Sequence, residues 1–256
     1  MIKILLSGCN GRMGKAVSEM CKKNQDTIIT AGVDIFTERA FNYPVYDSFS
    51  AVAEECDVVI DFSNPKTLPS LIEFCVSKKK PLVLCTTGLS DDDLALVEKA
   101  SSEIAIFRSG NMSLGINVLM MLSKRAAQVL GDAFDIEIIE QHHNQKLDAP
   151  SGTAIMLAEA VEEGVEYEAH RVYERQSVRA KREKNEIGIH SIRGGTIVGE
   201  HEVIFAGENE TISLHHSAQS REVFAAGAVR AAIFLAQNGG AGKYNMDDLI
   251  RASLNI

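Results

Sequence analysis

The 256-residue sequence predicts an α/β protein: a parallel-sheet domain of nucleotide-binding type, interrupted by a smaller α+β domain with a mostly antiparallel sheet. Three observations lead there. The chain opens with a short apolar strand that runs straight into a glycine-rich turn and a helix. Buried strands and helices then alternate as far as residue 107. Between residues 187 and 216, three strand-like stretches follow one another with only glycine-rich turns between them, and a helix after Ser220 leads back to the first domain. The boundaries expected from this order are 1–113 with 222–256 for the outer domain and 114–221 for the insertion.

Ile2 to Ser7 is a continuous apolar run, the pattern of a parallel strand buried on both faces. Gly8-Cys9-Asn10-Gly11-Arg12-Met13-Gly14 follows, and Lys15 to Lys23 reads as a helix. Strand, glycine elbow and helix make the first half of a Rossmann-like unit. Its glycines allow a tight turn and close backbone approach, and the helix N-terminus faces a pyrophosphate. Gly8, Cys9, Asn10, Gly11, Arg12 and Met13 are therefore candidate cofactor contacts, although the spacing is G-x-x-G-x-x-G and not the commoner G-x-G-x-x-G. The second strand, Thr27 to Val33, ends at Asp34. A carboxylate there can accept hydrogen bonds from ribose hydroxyls, which favours NADH over NADPH. Ile35 stands where a basic residue would assist a 2′-phosphate, with Arg39 as a fallback. Capping a turn is the competing use of Asp34.

Cys56 to Ser63 and Pro81 to Cys85 read as further buried strands. Between them Asn64-Pro65 turns into a helix over Lys66 to Ser77. Cys85-Thr86-Thr87-Gly88 lies at a strand's carboxyl end, where ligands collect in such sheets. Asp91 to Ser101 reads as a helix and Ile104 to Phe107 as a strand. Ser109-Gly110-Asn111-Met112 then leads into a long helix reaching about Leu130.

Phe134 to Ile139 reads as a strand, and a polar connection follows: Glu140-Gln-His142-His143-Asn-Gln-Lys146-Leu-Asp148-Ala-Pro150-Ser151-Gly152-Thr153-Ala154. Ala154 to Glu163 then has the apolar content of a packed helix. Pro150 suits the helix entry, and Ser151 or Thr153 can cap it. Amides and a positive dipole end near Gly152 are ready for an anion, with Lys146 and the histidines as further donors. The sum reads as a pocket for a carboxylate-bearing small molecule with an acid near its reacting atom. Arg171 to Lys184, rich in both signs of charge, reads as a solvated helix or mobile loop. Ile187 to Arg193, Thr196 to Phe205 and Thr211 to His216 read as strands, with Gly194-Gly195 and Gly207 to Glu210 as antiparallel turns. Asn245 to Ile250 is a final short helix.

The net charge of −9 argues against nucleic-acid or anionic-membrane partners. Apolar stretches are broken by charges, as by Arg230 within Val223 to Ala236, and the N-terminal run is too short for a signal segment. Five cysteines fall singly at positions 9, 21, 56, 75 and 85, without metal-ligand spacing, which suggests buried thiols in a reducing cytoplasm.

The string from Glu140 to Ala154 closely resembles the E-x-H-H-x-x-K-x-D-A-P-S-G-T-A signature of the dihydrodipicolinate reductase family. Asp61-Phe-Ser-x-Pro65, Thr86-Thr87-Gly88, Arg193-Gly-Gly-Thr-Ile-Val-Gly-Glu-His201 and Ser220-Arg221 extend the likeness over nearly the whole chain. Cys85 departs from the family's glycine before Thr-Thr-Gly, which matters little if only backbone faces a cofactor. The resemblance implies reduction of 4-hydroxy-tetrahydrodipicolinate, a cyclic dicarboxylate, to tetrahydrodipicolinate by a pyridine nucleotide in diaminopimelate and lysine biosynthesis.

By the same match His142 is the general acid and Lys146 the cation or second donor. His143, Gly152, Thr153 and, more weakly, Arg221 would bind the substrate. Cys85, Thr86, Thr87, Ser109, Gly110, Asn111 and Met112 would join the glycine elbow in holding the nucleotide. The insertion becomes a substrate-binding and tetramerisation domain, its sheet pairing across a homotetramer.

Glu140 and Asp148 read as orienting the loop, His215 and His216 as surface or interface residues on opposite faces of a strand, and His170, His190 and His201 as structural. A metal hydrolase using Glu140, His142, His143 and Asp148 is disfavoured, because adjacent histidines on an extended segment diverge; no metal is expected. A related two-domain dehydrogenase of a sugar or semialdehyde, and a nucleotide-binding redox sensor without turnover, remain as alternatives.

Overall fold

A computed structural model describes residues 1–254. In chain order its elements are β1 (Ile2–Ser7), α1 (Arg12–Lys23), β2 (Thr27–Val33), β3 (Val45–Tyr46), β4 (Val58–Asp61), α2 (Leu68–Ser77), β5 (Leu82–Leu84), α3 (Asp91–Ser101) and β6 (Ala105–Arg108). There follow α4 (Leu114–Leu130), β7 (Asp135–His142), α5 (Gly152–Glu162), β8 (His170–Val172), β9 (Glu186–Arg193), β10 (Gly199–Ala206) and β11 (Thr211–Ala218). The chain closes with α6 (Glu222–Asn238), β12 (Gly242–Tyr244) and α7 (Met246–Leu254). Two compact units emerge: Met1–Ser113 with the segment from Glu222 onward, and Leu114–Arg221.

The first unit holds seven strands in the order β12-β6-β5-β4-β1-β2-β3, and every pairing among them is parallel. Alternation along each strand sends side chains to both faces. Leu5, Val59, Leu82, Leu84 and Ile106 form one core with Leu68, Leu71, Ile72 and Cys75 of α2 and Val97 and Ala100 of α3. The alternate residues point the other way, where Phe107 meets Phe234 of α6 edge-on at 6.3 Å. Burial on both faces explains the uninterrupted apolar runs in the sequence. Each fully buried large side chain contributes about 1.5–3 kcal/mol.

The second unit holds five strands in the order β11-β10-β7-β9-β8. This sheet is mixed, not antiparallel throughout. β10 pairs antiparallel with β7 and β11, whereas β9 runs parallel to β7 and β8. The Gly194-Gly195 segment does not close a hairpin between β9 and β10. It crosses the end of β7 instead, with the Gly194 N–H bonded to the His142 carbonyl (2.9 Å) and the Asn144 N–H to the Gly195 carbonyl (3.2 Å). Five residues suffice to span two strand spacings of about 4.8 Å each.

The charge-rich stretch from Arg171 also differs from expectation, being neither helix nor free loop. Arg171 lies in β8 and grips Glu162 at 2.6 Å through two nitrogens, while Arg182 bridges Asp135 and Glu137 on β7. Ile136 and Ile138 of β7 pack with Leu157 and Val161 of α5, Ile116 and Leu119 of α4, and Val203 and Phe205 of β10.

Candidate functional site

In the first unit, the candidate nucleotide residues follow the carboxyl ends of β6 and β5 on one side of β4 and of β1 and β2 on the other. Gly8 adopts φ +73°, and a Cβ there would lie 2.5 Å from the Phe62 carbonyl oxygen. Both the backbone angle and the close approach demand glycine. A Cβ on Gly14 would overlap the Gly8 carbonyl and the Cys9 backbone. Gly11 occupies the N-cap of α1 and has no side chain to cap it. The first-turn amides of that helix therefore suit an anion, as a pyrophosphate requires.

Cys9 is fully buried, and burial, followed by the nearby Asp34 charge, pushes its thiol up to about 11. Only its backbone can meet a ligand. Asp34 accepts from the Asn10 N–H (2.9 Å) and the Phe36 N–H (3.1 Å), so it caps the turn as well as ending β2. Asn10 holds the Phe36 and Glu38 carbonyls through its amide nitrogen. Arg12 is exposed and Met13 half-buried.

Thr86 is buried and donates to Asp61 at 2.5 Å, while Thr87 is exposed beside it. Asp61 also accepts from Ser63 at 2.6 Å. Burial raises its pKa, an effect that these hydroxyl donors temper. Cys85 donates its N–H to the Asp61 carbonyl. The Ser109 hydroxyl donates to the Asn111 carbonyl at 2.9 Å, and the Met112 side chain is buried. Gly110 is exposed in this turn.

In the second unit, β7 runs three residues beyond its expected end, so Glu140, Gln141 and His142 belong to the strand and not to a loop. The alternation that buries Ile136 and Ile138 under the helices places Glu140, then His142, on the same face at its rim. Glu140 is 0% exposed. Its Oε2 lies 2.6 Å from His142 Nδ1, and its Oε1 accepts from the Ser151 N–H at 3.0 Å. Arg193, opposite His142 on β9, donates to both oxygens at 2.7 and 2.8 Å. Burial alone would raise the Glu140 pKa. The Arg193 guanidinium, with Ser191, His142 and the Ser151 amide, more than reverses that and holds it at about 2.

An ionised Glu140 keeps the proton of His142 on Nδ1 and leaves Nε2 for a ligand. Nε2 faces Gly199, where a Cβ would stand only 3.1 Å away. Burial lowers the His142 pKa, against the opposing pull of Glu140.

Ser151 is the N-cap of α5, its hydroxyl accepting from the Ala154 N–H at 3.2 Å. Gly152 is exposed in the helix's first turn and Thr153 half-buried beside it. Lys146 pairs with Asp148 at 2.8 Å, and the Asp148 carbonyl accepts from Arg193 at 2.7 Å. His143 is half-buried just past β7. Arg221 is exposed at the end of the unit, apart from these contacts.

Sequence reasoning left two members of this cluster without a role in it. Arg193 is the half-buried clamp on Glu140, and His201 packs edge-on to His142 at 5.2 Å. A register pairing β7 with both β9 and β10 would have revealed them, because it sets His201 opposite Glu140 and Arg193 opposite His142. Among the described residues no group of three or more His, Cys, Asp or Glu could hold a metal ion. No helix among them is long and apolar enough to cross a membrane.

Comparison with known proteins bears on both units. A family model described as "Dihydrodipicolinate reductase, N-terminus" matches residues 2–112, and one described as "Dihydrodipicolinate reductase, C-terminus" matches residues 115–250. The 4-hydroxy-tetrahydrodipicolinate reductase of Caldanaerobacter subterraneus subsp. tengcongensis is 53% identical over 98% of this chain and 99% of its own. That of Clostridium tetani is 50% identical over 98% of each. Among solved structures, a dipicolinate-bound dihydrodipicolinate reductase from Paenisporosarcina sp. TG-14 superposes with a TM-score of 0.77 at 25% identity, covering 96% of this chain and 97% of that one. A probable dehydrogenase from Thermotoga maritima shares the fold alone, with a TM-score of 0.61 at 16% identity over 99% of this chain and 94% of that one.

Proposed function

Because the chain belongs to the dihydrodipicolinate reductase family, we propose that it reduces 4-hydroxy-tetrahydrodipicolinate with NAD(P)H. The products are tetrahydrodipicolinate, NAD(P)⁺ and water, with one proton consumed. One observation carries the assignment of the chemistry: His142 has Nδ1 fixed on an ionised Glu140, while its Nε2 is turned toward Gly199, where no side chain crowds it.

The glycine elbow, Asp34, Cys85 to Thr87 and Ser109 to Met112 are the proposed nucleotide contacts. When bound, the reduced nicotinamide supplies the hydride. Negative charge then develops on the acceptor ring toward its nitrogen and carboxylate. His142 in its imidazolium form is the proposed general acid, keeping one proton on Nδ1 against Glu140 and donating the second from Nε2, and Lys146 the cation that stabilises this charge. Gly152 and Thr153 would receive a carboxylate at the amide-rich start of α5, with His143 and Arg221 as secondary contacts.

NADH is the favoured donor. Asp34 would repel a 2′-phosphate, and Ile35, 81% exposed, provides no positive charge to offset it. A homotetramer built through the second sheet fits β11, which ends that sheet as an edge strand. The cytoplasm is the proposed compartment, since all five cysteines are free.

The test is loss of NADH absorbance on adding substrate freshly made by dihydrodipicolinate synthase. Turnover by the wild-type chain and its collapse in His142→Gln are expected. No oxidation of either reduced nucleotide would overturn the reading.

A further inference from the structure

His201 has a place in the site that its neighbours on β10 do not share. It is 4% exposed and stands opposite Glu140 across the β7–β10 ladder. Its Nε2 lies 3.0 Å from the Ser151 hydroxyl, the same oxygen that caps α5. Its ring meets that of His142 edge-on, with centroids 5.2 Å apart and planes at 76°. The contacts close a circuit: Glu140 holds His142 and the Ser151 amide, Ser151 holds His201, and His201 walls His142. The remaining nitrogen of His201, Nδ1, is buried with no hydrogen-bond partner among the described residues.

We propose that His201 is a positioning residue for the proton donor. Anchored by Ser151, its ring fixes the His142 imidazole with Nε2 toward the acceptor and keeps water from its flank. The reading rests on the reductase function proposed above.

The groups facing His201 are Glu140, His142 and Lys146 from β7 and the turn after it, Ser151 from α5 and His216 opposite it on β11, with Arg193 of β9 behind Glu140. Burial, then the proximity of His142, holds the His201 pKa down to about 4, so the ring is neutral through the working range. A neutral wall excludes water without adding charge. It leaves Glu140 as the group that sets the tautomer of His142.

The wall is tested by recording the imidazole titrations of the apo protein by NMR, alongside the pH dependence of kcat. In His201→Ala, water reaches His142, burial is relieved, and its titration midpoint rises toward the ordinary histidine value. The alkaline limb of the rate profile moves up with it, and the limiting kcat falls by roughly tenfold, the general-acid geometry being loosened. In His201→Phe the packing is kept and the anchor lost, so the midpoint stays low while kcat falls less. If His201→Ala does not fold, Ser151→Ala removes the anchor without opening a cavity and, like His201→Phe, should leave the midpoint low while kcat falls less. An unchanged His142 midpoint and kcat within about twofold, with only the melting temperature lowered, would overturn the proposal. The NMR arm requires no substrate, so it stands apart from any failure of the reductase assay.

Discussion

Arg193 places both terminal nitrogens on the carboxylate of Glu140, at 2.7 and 2.8 Å, across the parallel β7–β9 pair. Glu140 is wholly enclosed, while the arginine is 20% exposed. The forked geometry is specific to a guanidinium, which a lysine cannot reproduce. Removing one partner strands the other charge, at a cost of about 3–5 kcal/mol in such settings. Glu140→Gln and Arg193→Met should each lower thermal stability. Each should also reduce kcat by at least tenfold, because the Nδ1 partner of His142 is lost or displaced. Circular-dichroism melts and steady-state rates on the same preparations check both; a normal kcat in either variant would dissociate the pair from the chemistry.

His142→Gln keeps a polar side chain of similar reach but has no transferable proton. A kcat lowered by roughly 10² is expected, with the KM for NADH little changed. Because burial holds the His142 pKa below 6.5, the protonated donor is lost as pH rises through that depressed value. The free-enzyme profile of kcat/KM should therefore fall toward alkaline pH with a midpoint below 6.5. A profile flat across that range would remove His142 as the acid.

Gly199 faces His142 Nε2, and a Cβ there would sit 3.1 Å from it. Gly199→Ala should fold, since one methyl is added at the rim of the core, yet it crowds the nitrogen proposed to meet the acceptor. A fall in kcat/KM for the acceptor of about tenfold is expected, with unaltered nucleotide affinity. Equal loss toward both ligands would point to general damage.

Acid sensitivity follows from two groups of opposite kind. Glu140, held at about 2, contributes stability that is present above the ordinary carboxylate value and lost as pH falls through about 2. His201, held at about 4 from an ordinary 6.5, gives nothing above 6.5. Below it the unfolded chain takes up a proton that the folded chain refuses, so stability declines progressively between 6.5 and about 4. Urea midpoints should already be lower at about pH 5 than at pH 7.5. His201→Phe should flatten that part of the slope, and an unaltered slope would show that His201 titrates normally.

The proposed coenzyme preference rests on Asp34, which also braces the elbow through the Asn10 amide. Asp34→Ser with Ile35→Arg removes the repulsion and adds a phosphate partner. The NADH to NADPH ratio of kcat/KM should fall by at least tenfold. A ratio that does not change would place the discrimination elsewhere.

The first sheet was legible because strands buried on both faces leave unbroken apolar runs, as in Ile4-Leu-Leu6 and Val58-Val-Ile60. β3 and β12 left no such trace, being edge strands of two and three residues, half-exposed or more. The second sheet was misjudged at one point. Gly194-Gly195 looks like a hairpin turn, and only the three-dimensional course shows that β7 lies between the strands it joins. Arg175 and Arg182 read as solvated charges because their partners Glu137, Asp135 and Glu186 are mostly distant in sequence. The polar string from Glu140 to Thr153 was recognisable, but the strand was expected to end at Ile139, so the placing of Glu140 and His142 on one strand face follows only from the longer β7. His201 was not, since its meaning depends on register with β7.

The central claim is that a ring bearing two carboxylates lies at the start of α5, with His142 Nε2 toward it. A crystal structure with pyridine-2,6-dicarboxylate and reduced nucleotide tests this most directly. One carboxylate should sit within about 3 Å of the amides at Gly152 and Thr153, with Lys146 near the ring. A ligand bound away from β7 and α5, with His142 untouched, would contradict the account.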